Sequence, residues 1–103
     1  MKLIYLAHPY GGNDRNIMAA WALWRKLTDE NPNYHIFNAV EYFIEFKEIF
    51  TEPGIQRRYT DMVTRCDELW VAPGWENSAG CKAEIAEATK IGMKIRYLTE
   101  VEA

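Results

Sequence analysis

The chain is poor in cysteine, in net charge and in long apolar runs, and each shortage removes a class of function. Only Cys66 and Cys81 are present, with no CxxC or Cys/His spacing between them. They read as buried thiols in a reducing compartment, although spacing alone leaves a bridge between them open. His8 and His35 have no neighbours at metal-ligand spacing, so no metal site is expected. Lys and Arg number 12 against 15 Asp and Glu, a net charge of −3, with no basic stripe or charge block. That balance argues against nucleic-acid binding through phosphate neutralisation. No stretch approaches the ~20 apolar residues of a membrane span, so no membrane partner is expected. Met1-Lys2 runs straight into a strand-like segment without a signal-peptide pattern, and a cytoplasmic location follows as an expectation. Repeats, low-complexity runs and linkers are missing, so the 103 residues read as one domain, 1–103.

What is present is a core. Hydrophobic residues make up 49% of the chain and aromatics 14%, with four Trp and six Tyr. The aromatic share raises the expectation of a subunit interface. Leu3 to Ala7 is a β-rich apolar run, ended by His8-Pro9. A continuous rather than alternating run suggests burial on both faces, as in a parallel sheet. Ile17, Ala20, Trp21, Trp24 and Leu27 then recur at helical spacing, after Asn13 or Asp14 as cap. Tyr34 to Phe37 reads as a second strand. The segment from Ala39 to Phe50 reads as a helix, aromatic all round with Tyr42, Phe43, Phe46 and Phe50. Such a helix is either deeply buried or packed on a second subunit. Glu52-Pro53-Gly54 reads as a break, and Ile55, Tyr59, Met62, Val63 and Cys66 mark a third amphipathic helix. Leu69 to Ala72 is the third strand, Ser78 to Ile91 the fourth helix closed by Gly92, and Lys94 to Leu98 the last strand. Alternation of this kind implies right-handed crossovers and a parallel sheet of about four strands. Ligands of such sheets bind beyond the carboxyl ends of the strands.

Two constellations fall at those ends. The first is His8-Pro9-Tyr10-Gly11-Gly12-Asn13, between the first strand and helix. Glycines let a backbone approach a ligand, and a helix N-terminus favours an anion. The turn is neither a GxGxxG nor a Walker loop, so it is open to two readings, a phosphate cradle or an ordinary βα turn. The second is Ser78-Ala79-Gly80-Cys81-Lys82-Ala83-Glu84-Ile85. Ser78 is a natural N-cap that could also meet a ligand hydroxyl or phosphate. With Cys81, Ile85 and Ala88 as the buried stripe, Glu84 lies roughly 60–70° off its centre, at the margin of the core. Helical side chains lean toward the N-terminus, which aims Glu84 at the ligand end of the sheet. A carboxylate there can be a nucleophile on a sugar carbon or a general base, or simply a boundary Glu paired with a Lys or Arg. Asn38, at the end of the second strand, could hydrogen-bond a base or sugar or cap the next helix. Asp67 and Glu68 read as solvated acids opening the third strand, and Asp61 as solvated.

With these motifs assembled, the chain resembles the nucleoside 2-deoxyribosyltransferase-like superfamily, in particular a small bacterial and phage branch. The resemblance rests on Ile4-Tyr5-Leu6-Ala7-His8-Pro9-Tyr10-Gly11-Gly12. It rests more firmly on Cys66-Asp67-Glu68-Leu69-Trp70-Val71 followed by Ser78-x-Gly80-x-x-x-Glu84-Ile85 and Ala88. It implies a Rossmann/flavodoxin-like three-layer α/β sandwich and cleavage or transfer at the N-glycosidic bond of deoxynucleosides or their 5′-monophosphates, without a cofactor. It makes Glu84 the nucleophile on C1′ and Tyr5 its support. It gives Ser78, Gly11 and Gly12 to sugar hydroxyl or phosphate; Gly80, His8, Tyr10, Asn13 and Asn38 are further candidate ligand contacts by their place at the strand ends. It also implies a homo-oligomer, dimer or tetramer. Two departures stand out. His8 replaces a Gly or small residue. Tyr59 stands eight positions before Asp67, where the enzymes carry an acid that activates the leaving base. The second departure leaves a non-catalytic nucleotide-binding protein of the same fold as the alternative expectation.

Overall fold

The computed structural model describes residues 1–44 and 52–103. Its elements are β1 (Lys2–Ala7), α1 (Asp14–Glu30), β2 (Tyr34–Asn38), α2 (Ala39–Ile44), α3 (Glu52–Thr64), β3 (Glu68–Val71), a short 3-10 turn (Trp75–Asn77), α4 (Ala79–Lys90) and β4 (Lys94–Tyr97). The four strands form one parallel sheet in the order β2-β1-β3-β4. This is the expected α/β sandwich with a four-stranded parallel sheet. Phe46 and Phe50, expected on the aromatic helix, lie outside the described residues.

The strand order fixes where the helices go. From β1 the chain steps to β2 on one side through α1. From β2 it returns over β1 to β3, and from β3 it moves on to β4, both in the opposite direction. Right-handed crossovers then put α1 on one face and α3 with α4 on the other. The cores agree. Ile4, Leu6, Ile36 and Trp70 pack with Leu23 and Leu27 of α1. Tyr5, Ala7, Leu69 and Val71 pack with Val63 of α3 and Cys81 and Ala88 of α4. Alternate residues of β1 and β3 thus serve opposite layers, which is why both strands read as unbroken apolar runs.

Several local expectations are corrected. The buried stripe of α1 is Ala20, Leu23 and Leu27. Trp21 is instead 40% exposed and packs edge-on against Trp24. The Trp24 indole nitrogen donates to the Ile36 carbonyl at 2.6 Å, tying α1 to β2. Glu52-Pro53-Gly54 does not break the chain but opens α3. Proline suits a first helical turn, where the N–H it lacks would have no partner. Glu68 is buried, not solvated. Its carboxylate accepts from the Trp70 indole at 3.2 Å and from Lys2 Nζ at 2.9 Å, and Lys94 Nζ lies 3.7 Å away. Burial pushes this carboxyl up, but those hydrogen bonds and charges outweigh it and hold Glu68 below its ordinary value. Asp67 is exposed as expected, and its Oδ2 accepts from the Leu3 backbone N–H at 2.7 Å. Asp61 is exposed and pairs with Arg65. Among the described residues no helix is long and apolar enough to cross a membrane.

Candidate functional site

Because the chain leaves β1 and β3 in opposite directions, the loops after these neighbouring strands diverge and open a crevice between them. This is the topological switch point at which open α/β sheets bind ligands. A cleft of about 780 Å³ occupies it, within the usual size range of small-molecule sites. A second cavity of about 470 Å³ lies on the outer side of α1, between Trp21 and Thr28. The switch-point cleft is the one that holds a buried ionisable group.

Ala39 and Val40 of α2 line one part of the cleft, and three further segments carry its polar groups. The loop after β1 contributes His8, Tyr10, Gly11 and Gly12. Gly11 and Gly12 have φ of 57° and 75°, the left-handed region that glycine enters without strain. The loop is held by Asn16 Nδ2, which donates to the Tyr10 carbonyl at 2.8 Å, and by Asn13 N, which donates to the same oxygen at 3.0 Å. The start of α4 contributes Ser78, Gly80 and Glu84. The Ser78 hydroxyl accepts from Cys81 N at 3.2 Å and caps the helix as expected. Helix α3 contributes Gln56 and Tyr59.

Glu84 is more deeply placed than its spacing suggested. Cys81, Glu84 and Ala88 form the buried stripe of α4, while Ile85 is half-buried. The carboxyl therefore sits on the inner face of the helix, 5% exposed, at the base of the cleft. Below it lies Tyr5 of β1, fully buried. Each group affects the other's ionisation, yet no hydrogen bond of ordinary geometry joins them. The Tyr5 hydroxyl and Glu84 Oε2 are both buried without a partner among the described residues. Burial pushes the Glu84 carboxyl up from 4.5 to about 8, although the Tyr5 hydroxyl pulls it down. Burial also drives the Tyr5 phenol well above 10, and the Glu84 charge adds to this. Cys81, next to Glu84, is pushed up to about 12, mainly by burial. A carboxyl so shifted, in a cleft and with no ion pair among the described residues, is the kind of group that marks a functional site.

Of the residues singled out in the sequence, the structure gathers His8, Tyr10, Gly11, Gly12, Ser78, Gly80 and Glu84 around one cleft, with Tyr5 beneath. It does not bring Asn13 or Asn38 into the lining. Asn13 is exposed and its side chain caps α1 by accepting from Arg15 N at 2.9 Å. Asn38 is buried, its Oδ1 accepting from Glu41 N at 3.4 Å, and its Nδ2 has no partner among the described residues. Sequence reasoning missed Gln56, whose Oε1 faces Gly80 and whose buried Nε2 also lacks a partner among the described residues. Its spacing of one helical turn puts it on the Tyr59 face of α3, but the sequence does not say that this face borders a cleft. Tyr59 is buried, and its hydroxyl donates to the Ala39 carbonyl at 3.4 Å. Among the described residues no three His, Cys, Asp or Glu side chains cluster to hold a metal ion.

No curated protein matches the chain. The family described as "Domain of unknown function (DUF4406)" matches residues 2–97, nearly the whole length, and the chain belongs to that family.

Proposed function

We propose that the protein cleaves or transfers at the N-glycosidic bond of a deoxynucleoside or deoxynucleoside 5′-monophosphate, with Glu84 as nucleophile. The observation that carries this reading is a buried carboxyl at the base of the switch-point cleft whose Oε2 has no partner among the described residues. Burial holds Glu84 mostly neutral at pH 7. A sugar carbon developing positive charge would reverse that preference, so the carboxylate favours the oxocarbenium-like transition state over the ground state. Attack on C1′ would release the base and leave the sugar on Glu84, for water or a second base to take. Tyr5 supports the carboxyl from below. A 5′-phosphate fits between the Gly11-Gly12 turn and the start of α4, whose first turn carries no acid. The acid in the first turn of α1, Asp14, makes that helix the less favourable anchor.

The resemblance to nucleoside 2-deoxyribosyltransferases supports the same chemistry through the Ser78-to-Glu84 spacing, and extends to a cytoplasmic homo-oligomer, which light scattering would test. One observation favours a second reading, a nucleotide-binding protein without turnover. The phenol of Tyr59 lines the cleft where those enzymes carry an acid. A panel of deoxynucleosides and their monophosphates, followed by chromatography for free base, separates the two. Release by the parent and its loss in Glu84→Ala supports catalysis. Equal release by parent and variant refutes Glu84 as nucleophile, and thermal stabilisation by a nucleotide without any release selects the binding reading.

A further inference from the structure

His8 is a chemical group that the reading above leaves unused. It is the first residue beyond β1, half-buried, and it lines the cleft that Glu84 enters from α4. Its Nδ1 lies 2.8 Å from the Pro9 carbonyl oxygen. A carbonyl only accepts, so Nδ1 carries the hydrogen. In the neutral ring Nε2 then bears a free lone pair. Burial lowers the imidazole from its ordinary 6.5, outweighing the opposite effect of the Pro9 bond, and keeps the ring neutral at neutral pH. The remaining ionisable groups of the described lining are poor bases there. Cys81 is a protonated thiol, Tyr10 and Tyr59 are phenols, and Glu84 would be esterified once the base has left.

We infer that His8, in the reaction proposed above and resting on that reading, is the general base for the water that frees the sugar from Glu84. The oxygen of water bonds to C1′ as the C1′–Oε bond breaks. The electron pair of that bond returns to the Glu84 carboxylate, and a proton of the water goes to His8 Nε2 and then to solvent. Glu84 gives up its own proton to solvent as it attacks C1′, and the departing base takes one from solvent in that first half of the cycle, so atoms and charge balance.

Rapid-quench kinetics on the common deoxynucleoside 5′-monophosphates, with intact-protein mass spectrometry, tests this. In His8→Asn the side-chain amide keeps a donor for the Pro9 carbonyl but has no basic nitrogen. His8→Gln is the second variant, should the first not fold. The expected result is a first burst of one base per site at the parental rate, followed by steady turnover reduced by about 100-fold or more. A sugar phosphate adduct on Glu84 should accumulate. Azide, which attacks C1′ without needing a base, should restore turnover and yield a glycosyl azide. A merely structural His8 would slow burst and steady state together, leave no adduct and show no azide rescue, and any of these overturns the inference. Parental steady turnover in the variants overturns it too, while leaving the role of Glu84 intact. A parent that releases no base overturns both.

Discussion

Replacing Glu84 with Gln should stabilise the protein, and more so as the pH rises. In the folded chain the carboxyl is pushed up from 4.5 to about 8 because it is buried. An unfolded chain releases this proton near 4.5, whereas the native state keeps it up to about 8. Below 4.5 both states hold it and Glu84 costs nothing. Between the two values the unfolded state is favoured progressively, by ~1.4 kcal/mol per pH unit. Above 8 the full penalty is present, an upper limit of ~5 kcal/mol. Gln has no proton to lose, and its amide offers the orphaned Tyr5 hydroxyl a partner. Water entering from the cleft would relax part of the penalty. Even if only ~2 kcal/mol survives, a domain of this size gains roughly 10 °C in Tm. The assay is thermal and urea unfolding of parent and Glu84→Gln from pH 4 to 9. Taking the difference at each pH removes the titration of groups common to both proteins. The two should coincide near pH 4 and separate with rising pH. A difference that does not change with pH, or a variant less stable at pH 9, would refute the placement of a buried, uncompensated carboxyl.

Two further outcomes follow from the same geometry. Tyr5→Phe removes a hydroxyl that pulls the Glu84 carboxyl down, so the pH at which base release becomes half-maximal should move upward, while stability changes by no more than ~1 kcal/mol because that hydroxyl has no partner of ordinary geometry among the described residues; a downward shift in the pH–rate profile would contradict it. Cys66 and Cys81 are both pushed up to about 12, chiefly by burial, so the folded protein at pH 8 should resist a thiol-reactive disulfide reagent that labels both after unfolding; fast labelling of either in the folded protein would contradict it.

The sheet was legible because its signal is local. An unbroken apolar run such as Leu3 to Ala7, repeated between helical stripes, points to a parallel sheet whatever its neighbours are. The cleft loops were legible for the same reason, since Gly11-Gly12 and the Ser78 cap are signatures of the chain's own turns. What escaped was set by contacts distant in sequence. Glu68 read as a solvated acid because its partners Lys2 and Lys94 come from the strands on either side of β3. Glu84 read as marginal because Ile85 was counted into the stripe. The packing of α4 against α3 and the sheet instead rotates the inner face to Cys81, Glu84 and Ala88. Gln56 could not be found from α3 alone, because which face of that helix borders the cleft depends on the return of the chain over β1.

The two glutamates buried among the described residues give the sharpest reason to place chemistry at Glu84. They are the same residue type, 4% and 5% exposed, in one small domain. Glu68 stands at the amino end of β3 and is compensated by an indole and two lysines, which hold it ionised. Burying a carboxylate is tolerable on those terms, because each lone pair regains what water supplied. Glu84 stands near the carboxyl ends of β1 and β3, and among the described residues no cation pairs with it and Oε2 has no ordinary hydrogen bond. The difference is not a shortage of partners in this chain, since lysines from two strands converge on Glu68. Placed as it is, Glu84 weakens the fold with rising pH, and a hydrophobic side chain of similar volume would fill the same space without that cost. On the function proposed above, a group that costs stability where it stands is accounted for by what enters the cleft. A ligand that presents a positive centre to Oε2 would supply there the compensation that Lys2 and Lys94 give Glu68.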